Sequence, residues 1–405
     1  MNGAGFDDVA MRSTGSRRSI LVIHPSDLLT DHLPHGDGLL AHAFISGLAR
    51  RGHKLHVALP ERSDLAQPIE GDVELHHVVP DAKSVGLSSA VRYVLGVGRL
   101  LRNLDRHDEV DVAHQLNPVR AGMSLGMLGT RVPLVLGPMV GNWVTPGRSS
   151  IRTAASESGK RLINAVQQRR ADGILLSTPV AESKLAVSST RPTVGILPPG
   201  VDADAFSPAR TVSDQGPILF VGRLIRSKGV FDLLQAFAKV LEQRSDARLV
   251  LAGDGPDRQE LQDLVTQGGL TGAVEFVGPV ARDDLPELMR AAAVLCAPSH
   301  GEPFGLSVLE AMSCGRPVVG TAAGGLVHLI PSGGGFLVPP GDATALAAAL
   351  TQILREPELA AAMGVTNRNV VLESFAWPRV IDRLEAHYDA AIQRAAAVRG
   401  WRPAQ

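Results

Sequence analysis

Short apolar runs of strand length alternate with segments of helical periodicity along most of the chain, and the alternation begins afresh halfway. The runs Ser19 to His24, Leu55 to Leu59, Val110 to Ala113, Leu134 to Leu136 and Ile174 to Leu176 make a first set of expected strands. A second set starts at Ile218 and continues through Arg248 to Ala252, Val274 to Val277, Ala293 to Ala297 and Val318 to Thr321. Near-continuous apolar strands separated by helices mark parallel sheets covered on both faces, so the expected class is α/β, doubly wound, in two domains. A proline-rich bend, Leu197 to Pro208, lies between the sets. Two sheets joined there would turn their strand ends toward a common cleft. The length of 405 residues agrees, because one hydrophobic core rarely extends over so long a chain.

Composition and charge narrow the class. An apolar fraction of 44% with 20% charged residues is that of a water-soluble globular protein. The first eighteen residues are polar and rich in Gly and Ser, without the apolar core of a signal peptide, and are expected to form a disordered tail. No run approaches the roughly 18 apolar residues of a membrane span, which points to a cytoplasmic chain, at most peripheral to a membrane. Cys296 and Cys314 both fall in expected apolar elements and read as buried thiols of a reducing compartment. Basic residues gather locally: Lys83 to Arg106 holds five against one acid, and Arg148 to Arg170 six against one. In the first stretch Val91, Val94, Leu95, Leu101 and Leu104 recur at helical spacing, so it is either a core-facing helix with a solvated basic side or a helix that lies on anionic lipid. The first stretch holds a single aromatic residue, Tyr93, and the second none, which argues against nucleic acid as a partner.

The chemistry concentrates in the second half. In Glu302 to Met312, EPFGLSVLEAM, Glu302 precedes a proline and must be extended or in a turn, and a helix opens at Gly305 and is closed by Gly315 and Pro317. The amides of Gly305, Leu306 and Ser307 would then stand unpaired at a positive helix end, a receptor for phosphate. Glu310 sits inside that helix among apolar neighbours, and a buried carboxylate needs donors such as sugar hydroxyls. A capping Glu302 with an ordinary surface Glu310 is the plainer alternative. Upstream, PILFVGRLIRSKG runs a strand into Gly222 and places Arg223 and Lys228 beyond its carboxyl end, where open parallel sheets bind ligands. A guanidinium fork beside an ammonium suits a diphosphate, although a solvated basic turn has the same composition.

Taken together these residues resemble the retaining, nucleotide-sugar-dependent glycosyltransferases of family 4, which have the GT-B fold. The resemblance rests on Gly222-Arg223 with Lys228-Gly229, Gly253-Asp254-Gly255-Pro256, Phe276-Val277-Gly278 and the Glu302 to Glu310 motif. It continues through Gly315-Arg316-Pro317-Val318-Val319, Gly324-Gly325 and the run Gly335 to Asp342. Between about Pro217 and Leu350 the order and spacing hold. The first half carries fewer points: Arg51-Gly52-His53, Asp111-Val112-Ala113-His114, and Pro198 to Asp202 with Phe206 and Pro208. His35-Gly36-Asp37-Gly38 departs from the family's adjacent glycines, and Leu116 stands where many members have a second histidine.

The resemblance implies two Rossmann-like domains facing a central cleft. Residues 1–18 form the tail, 19–200 the acceptor-binding domain and 201–379 the nucleotide-sugar domain, and a helix in 380–405 crosses back to the first. It implies transfer of a hexose-type sugar from a nucleoside diphosphate sugar, most commonly a UDP-sugar, to an unidentified hydroxyl acceptor (a glycan, a lipid-linked intermediate or a small metabolite), with no cofactor and no metal. Arg223, Lys228, Glu302 and His114 take the catalytic places. Gly36, Gly38, Gly222, Val280, Phe304, Gly305, Leu306, Ser307 and Glu310 take the donor. Within that set Glu302 meets the sugar, Glu310 the ribose and the backbone near Val280 the base, while His114 orients the sugar or merely completes a strand end. Other classes compete. Gly253 and Gly255 after a strand suggest a dinucleotide fingerprint, but Arg258 replaces its third glycine. A phosphorylase would need a lysine motif for pyridoxal phosphate that is not recognisable here, and a silent sugar-nucleotide or glycan binder would have no need of Arg223, Lys228, Glu302 and Glu310 together.

Overall fold

The computed structural model describes residues 16–33, 36–60, 63–79, 87–107, 109–141, 151–186, 192–209 and 216–402. They fall into two compact units, one holding the chain to Val140, its continuation to Pro199 and everything from Trp377, the other holding Gly141 and Gly200–Ala376.

In chain order the first unit contains β1 (Ser19–Ile23), β2 (Leu29–Thr30), α1 (Gly36–Arg50), β3 (Lys54–Leu59), β4 (Ser63–Asp64), β5 (Val73–His77), α2 (Leu87–Asp105), β6 (Val112–Gln115), β7 (Leu134–Met139), α3 (Ile151–Arg170), β8 (Gly173–Leu176) and β9 (Thr193–Ile196). Seven of these strands form one sheet in the order β5-β3-β1-β6-β7-β8-β9, and β2 pairs with β4 apart from it. All its pairings are parallel, with Ile20 opposite Leu55 on one side and Val112 on the other. The order reverses between β1 and β6, the switch point of a doubly wound sheet. One face packs Ile20, Val22, Leu55 and Val57 against α1 and the final helix through Phe44, Leu48, Val380, Leu384 and Tyr388. The other packs Leu21, Ile23, Ala58 and Leu136 against Tyr93, Val97 and Leu101 of α2.

The second unit repeats the plan. It runs β10 (Ile218–Val221), α4 (Val230–Leu241), β11 (Leu249–Ala252), α5 (Arg258–Gln267), β12 (Val274–Gly278), α6 (Leu285–Ala291), β13 (Val294–Ala297), α7 (Leu306–Ser313), β14 (Val318–Thr321), α8 (Leu326–Leu329), β15 (Gly335–Val338), α9 (Ala343–Arg355) and α10 (Pro357–Val370). Its six parallel strands stand in the order β12-β11-β10-β13-β14-β15, with the switch point between β10 and β13. Asp342 caps α9 by accepting from the amides of Thr344 and Ala345 at 3.1 and 2.9 Å. Phe220, Leu251, Cys296 and Val319 of the sheet pack on Phe237 and Val240 of α4 and Leu346 and Leu350 of α9.

The last helix, α11 (Trp377–Arg399), belongs to the first unit. Trp377 meets Phe44 edge-on at 4.9 Å, His53 Nε2 lies 2.9 Å from Glu385, and Arg399 grips Asp172 through two bonds of 2.9 and 2.6 Å. It begins three residues before the expected segment 380–405 and runs to Arg399.

Two expectations change. Residues 1–15 of the expected tail lie outside the described residues, but Arg18 is 4% exposed and pairs with Asp389, so the packed chain starts before Ser19. Helix α2 turns Tyr93, Val97, Leu101 and Leu104 to the core and leaves Val91 and Leu95 about half exposed, a face rotated from the expected one. Among the described residues no helix is long and apolar enough to cross a membrane. Both cysteines are buried free thiols.

Candidate functional site

The second unit's switch point gathers most of the expected residues. Strand β10 ends at Val221 and delivers Gly222 and Arg223; a 3-10 turn, Arg226–Lys228, then leads into α4. Its neighbour β13 ends at Ala297 and delivers Ser299, His300 and Glu302. The two loops are tied together, since the His300 amide donates to Ser227 O at 3.0 Å. Lys228 Nζ reaches Glu302 Oε2 at 2.6 Å, and Ser299 Oγ donates to the same oxygen at 3.3 Å. Both members of this pair are largely buried, with side chains 17% and 14% exposed. Arg223 is exposed, and its guanidinium has no partner among the described residues.

Helix α7 begins directly after Glu302. Gly305 precedes it with φ of 104°, a left-handed conformation that costs glycine little, and an added Cβ would come within 2.8 Å of Leu326. No side chain caps this end. The first amide to bond back along the helix is that of Leu309, to Gly305 O at 3.0 Å, so those of Leu306, Ser307 and Val308 have no helical acceptor. Leu306 is exposed and Ser307 half-buried, leaving this end open. Phe304 is 5% exposed and packs against Phe375 at 6.4 Å, so only its backbone is available to a ligand. The Glu302 carbonyl accepts from the Gly325 amide at 2.6 Å, which anchors the Gly324-Gly325 loop beneath the carboxylate.

Glu310 faces inward from α7 at 5% exposure and is paired with Arg282. Burial pushes its carboxyl above the usual range, against the pull of the guanidinium. Arg282 stands in the loop after β12 and lies over the Phe206 ring at 5.0 Å, two residues from half-buried Val280. Sequence reasoning missed Arg282 and Ser299; an arginine two places beyond the expected base-contacting backbone was the available signal for the first.

The Gly253-Asp254-Gly255 loop has a packing explanation. Gly222 and Leu224 donate backbone bonds of 2.9 Å to Ala252 O and Asp254 O, and a Cβ on Gly253 would lie 1.9 Å from Gly222 O. These glycines let two loops touch and do not make a dinucleotide cradle.

In the first unit, Gly36 opens α1 and is exposed, while Gly38 is buried in its first turn; His35 lies outside the described residues. Asn117, just past β6, donates to Asp37 at 2.7 Å and so joins the start of α1 to that unit's switch point. His114 lies within β6 rather than at its end. It is 1% exposed, with Nδ1 2.7 Å from the Tyr388 hydroxyl and Nε2 2.8 Å from Gly137 O. Burial drops its pKa to about 4. Both nitrogens are engaged inside the protein, which favours the strand-completing alternative over contact with a sugar.

The family described as Glycosyl transferases group 1 matches residues 204–370, a span that holds every site residue of the second unit. N-acetyl-alpha-D-glucosaminyl L-malate synthase of Bacillus anthracis is 28% identical over 376 residues, 87% of this chain and 93% of that relative. D-inositol 3-phosphate glycosyltransferase of Geodermatophilus obscurus is 36% identical over 221 residues, 50% of this chain and 48% of that relative, so the chain spans about half of its length. Among solved structures, Anabaena Alr3699/HepE in complex with UDP-glucose has a TM-score of 0.65 at 21% identity, with 91% of this chain and 98% of that one covered.

Proposed function

We propose that the chain is a family 4 glycosyltransferase of the GT-B fold that moves a hexose-type sugar from a UDP-sugar to an acceptor hydroxyl with retention at the anomeric carbon. The observation that carries the reading is the Lys228–Glu302 pair at the β10/β13 switch point, beside the uncapped start of α7. Cations and free amides suit the diphosphate, and a carboxylate suits the sugar hydroxyls.

In this reading Lys228, exposed Arg223 and the amides of Leu306 and Ser307 stabilise the leaving diphosphate as its charge develops, work that many other transferases give to a metal ion. The bond from the anomeric carbon to the phosphate oxygen breaks while the acceptor oxygen attacks the same face. The departing phosphate oxygen takes the acceptor's proton, so no separate base is required. Glu302 holds the sugar hydroxyls. Glu310 takes the ribose, sharing its carboxylate with Arg282, and the backbone at Gly222 and Val280 lines the nucleoside. In the first unit Gly36 opens a helix of fifteen residues, an end suited to an anion. The UDP-glucose held by the Anabaena protein favours a uridine donor. An N-acetyl-alpha-D-glucosaminyl L-malate synthase and a D-inositol 3-phosphate glycosyltransferase among the relatives favour a small hydroxylated acid as acceptor.

The test is slow hydrolysis of a panel of nucleotide-sugars by the purified chain, which needs no acceptor. Faster release from one UDP-hexose is expected. Binding of a nucleotide-sugar with no release under any condition, acceptor acids included, would leave a silent binder instead.

A further inference from the structure

We propose that His56, Glu74 and His76, on the outer strands of the first unit's sheet, form a site for a divalent transition metal of the Zn²⁺ type. None of the three belongs to the transferase site. Strand β5 is an edge strand that pairs with β3 so that His56 stands opposite Glu74, and His76 follows on the same face two residues later.

The donor atoms converge. His56 Nδ1 and His76 Nε2 are 3.1 Å apart, and Glu74 Oε2 lies 3.4 Å from the first and 3.6 Å from the second. A triangle with these edges has its centre about 2.0 Å from every corner, the bond length of Zn²⁺ to imidazole nitrogen and carboxylate oxygen. An ion at that centre would lie within bonding distance of all three donor atoms. Two imidazoles and one carboxylate select borderline divalent ions over Mg²⁺ or Ca²⁺. His56 is 1% exposed whereas the side chains of Glu74 and His76 are 50% and 27% exposed, so one wall is fixed and solvent can supply a fourth ligand. Lys54 Nζ approaches the other carboxylate oxygen at 3.7 Å and leaves Oε2 to the histidines. Glu109 adds a second negative charge near His56. Bound through Nδ1, His56 would carry its proton on Nε2, which is buried without a partner among the described residues.

The full chain, stripped with a chelator and dialysed, should bind one Co²⁺ with visible d–d bands that Zn²⁺ abolishes, and Zn²⁺ should raise its melting temperature. Even outer-shell changes cost about 10–100-fold in metal affinity, so His76→Ala and Glu74→Gln should each weaken binding by about a hundredfold or more. Both replace partly exposed side chains, and Glu74→Gln keeps the shape if His76→Ala does not fold. Failure of the native chain to bind Co²⁺ saturably would make the cluster a hydrogen-bonded one only. Unchanged affinity in Glu74→Gln would place the ion elsewhere. Either result overturns the proposal.

Discussion

Replacing Lys228 by alanine separates two roles that its position combines. The ammonium sits 2.6 Å from Glu302 with both side chains mostly out of water. If it also faces the leaving diphosphate, its loss removes one preorganised charge-stabilising donor, worth about 3 kcal/mol or roughly a hundredfold in turnover. The same change leaves the carboxylate with Ser299 Oγ as its side-chain donor among the described residues, a deficit of about 1–2 kcal/mol in folding stability for a partly exposed group. Urea unfolding measures the second quantity and single-turnover donor cleavage the first. A double-mutant cycle with Glu302→Gln then decides between the roles. A lysine that only holds Glu302 in place adds nothing once Glu302 is Gln, so Lys228→Ala/Glu302→Gln would turn over as fast as Glu302→Gln alone. A lysine that meets phosphate keeps most of its effect, about tenfold or more, in that background. Near-native turnover in Lys228→Ala would move the diphosphate site elsewhere.

Arg223→Ala should lower turnover by about a hundredfold with unchanged unfolding, because its guanidinium has no partner among the described residues; equal rates would make it a solvated loop cation. Turnover should persist in a strong chelator, and recovery on adding Mg²⁺ or Mn²⁺ after loss would sink the metal-independent scheme. Glu310→Gln should weaken free nucleoside diphosphate by about 1–2 kcal/mol in calorimetry, whereas Glu302→Gln should spare that affinity and slow transfer; the opposite pattern would exchange their roles. His114 gives a pH signature. Its folded pKa of about 4 lies below the unfolded value near 6.5, so the folded state resists a proton that the unfolded chain accepts. Its contribution is intact above pH 6.5 and is lost as pH falls toward 4, about 3 kcal/mol in all, and His114→Gln should flatten that part of the stability profile. An identical profile would mean that His114 already titrates normally.

The central strands were legible and several edges were not, for one physical reason. A strand covered on both faces must be apolar throughout, as in Leu249–Ala252, whereas an edge strand is half solvated and loses that pattern. Val73–His77, Thr193–Ile196 and Gly335–Val338 are all edge strands and all went unrecognised, the first carrying Glu74, His76 and His77. Residue types at the site were legible because a helix start after a carboxylate is local chemistry. Their partners were not, because contacts follow from which strands are neighbours. Lys228 and Glu302 are 74 positions apart and meet only because β10 and β13 flank the switch point. Arg282 reaches Glu310 from a separate loop. Both carboxylates read from sequence as acceptors awaiting a ligand, and in the fold each already holds a cation. A sugar at Glu302 and a ribose at Glu310 must therefore share those oxygens with Lys228 and Arg282. On the proposed reading, donor entry would loosen Lys228 from Glu302 as the diphosphate arrives to receive it, and so couple recognition of the sugar to stabilisation of the leaving group.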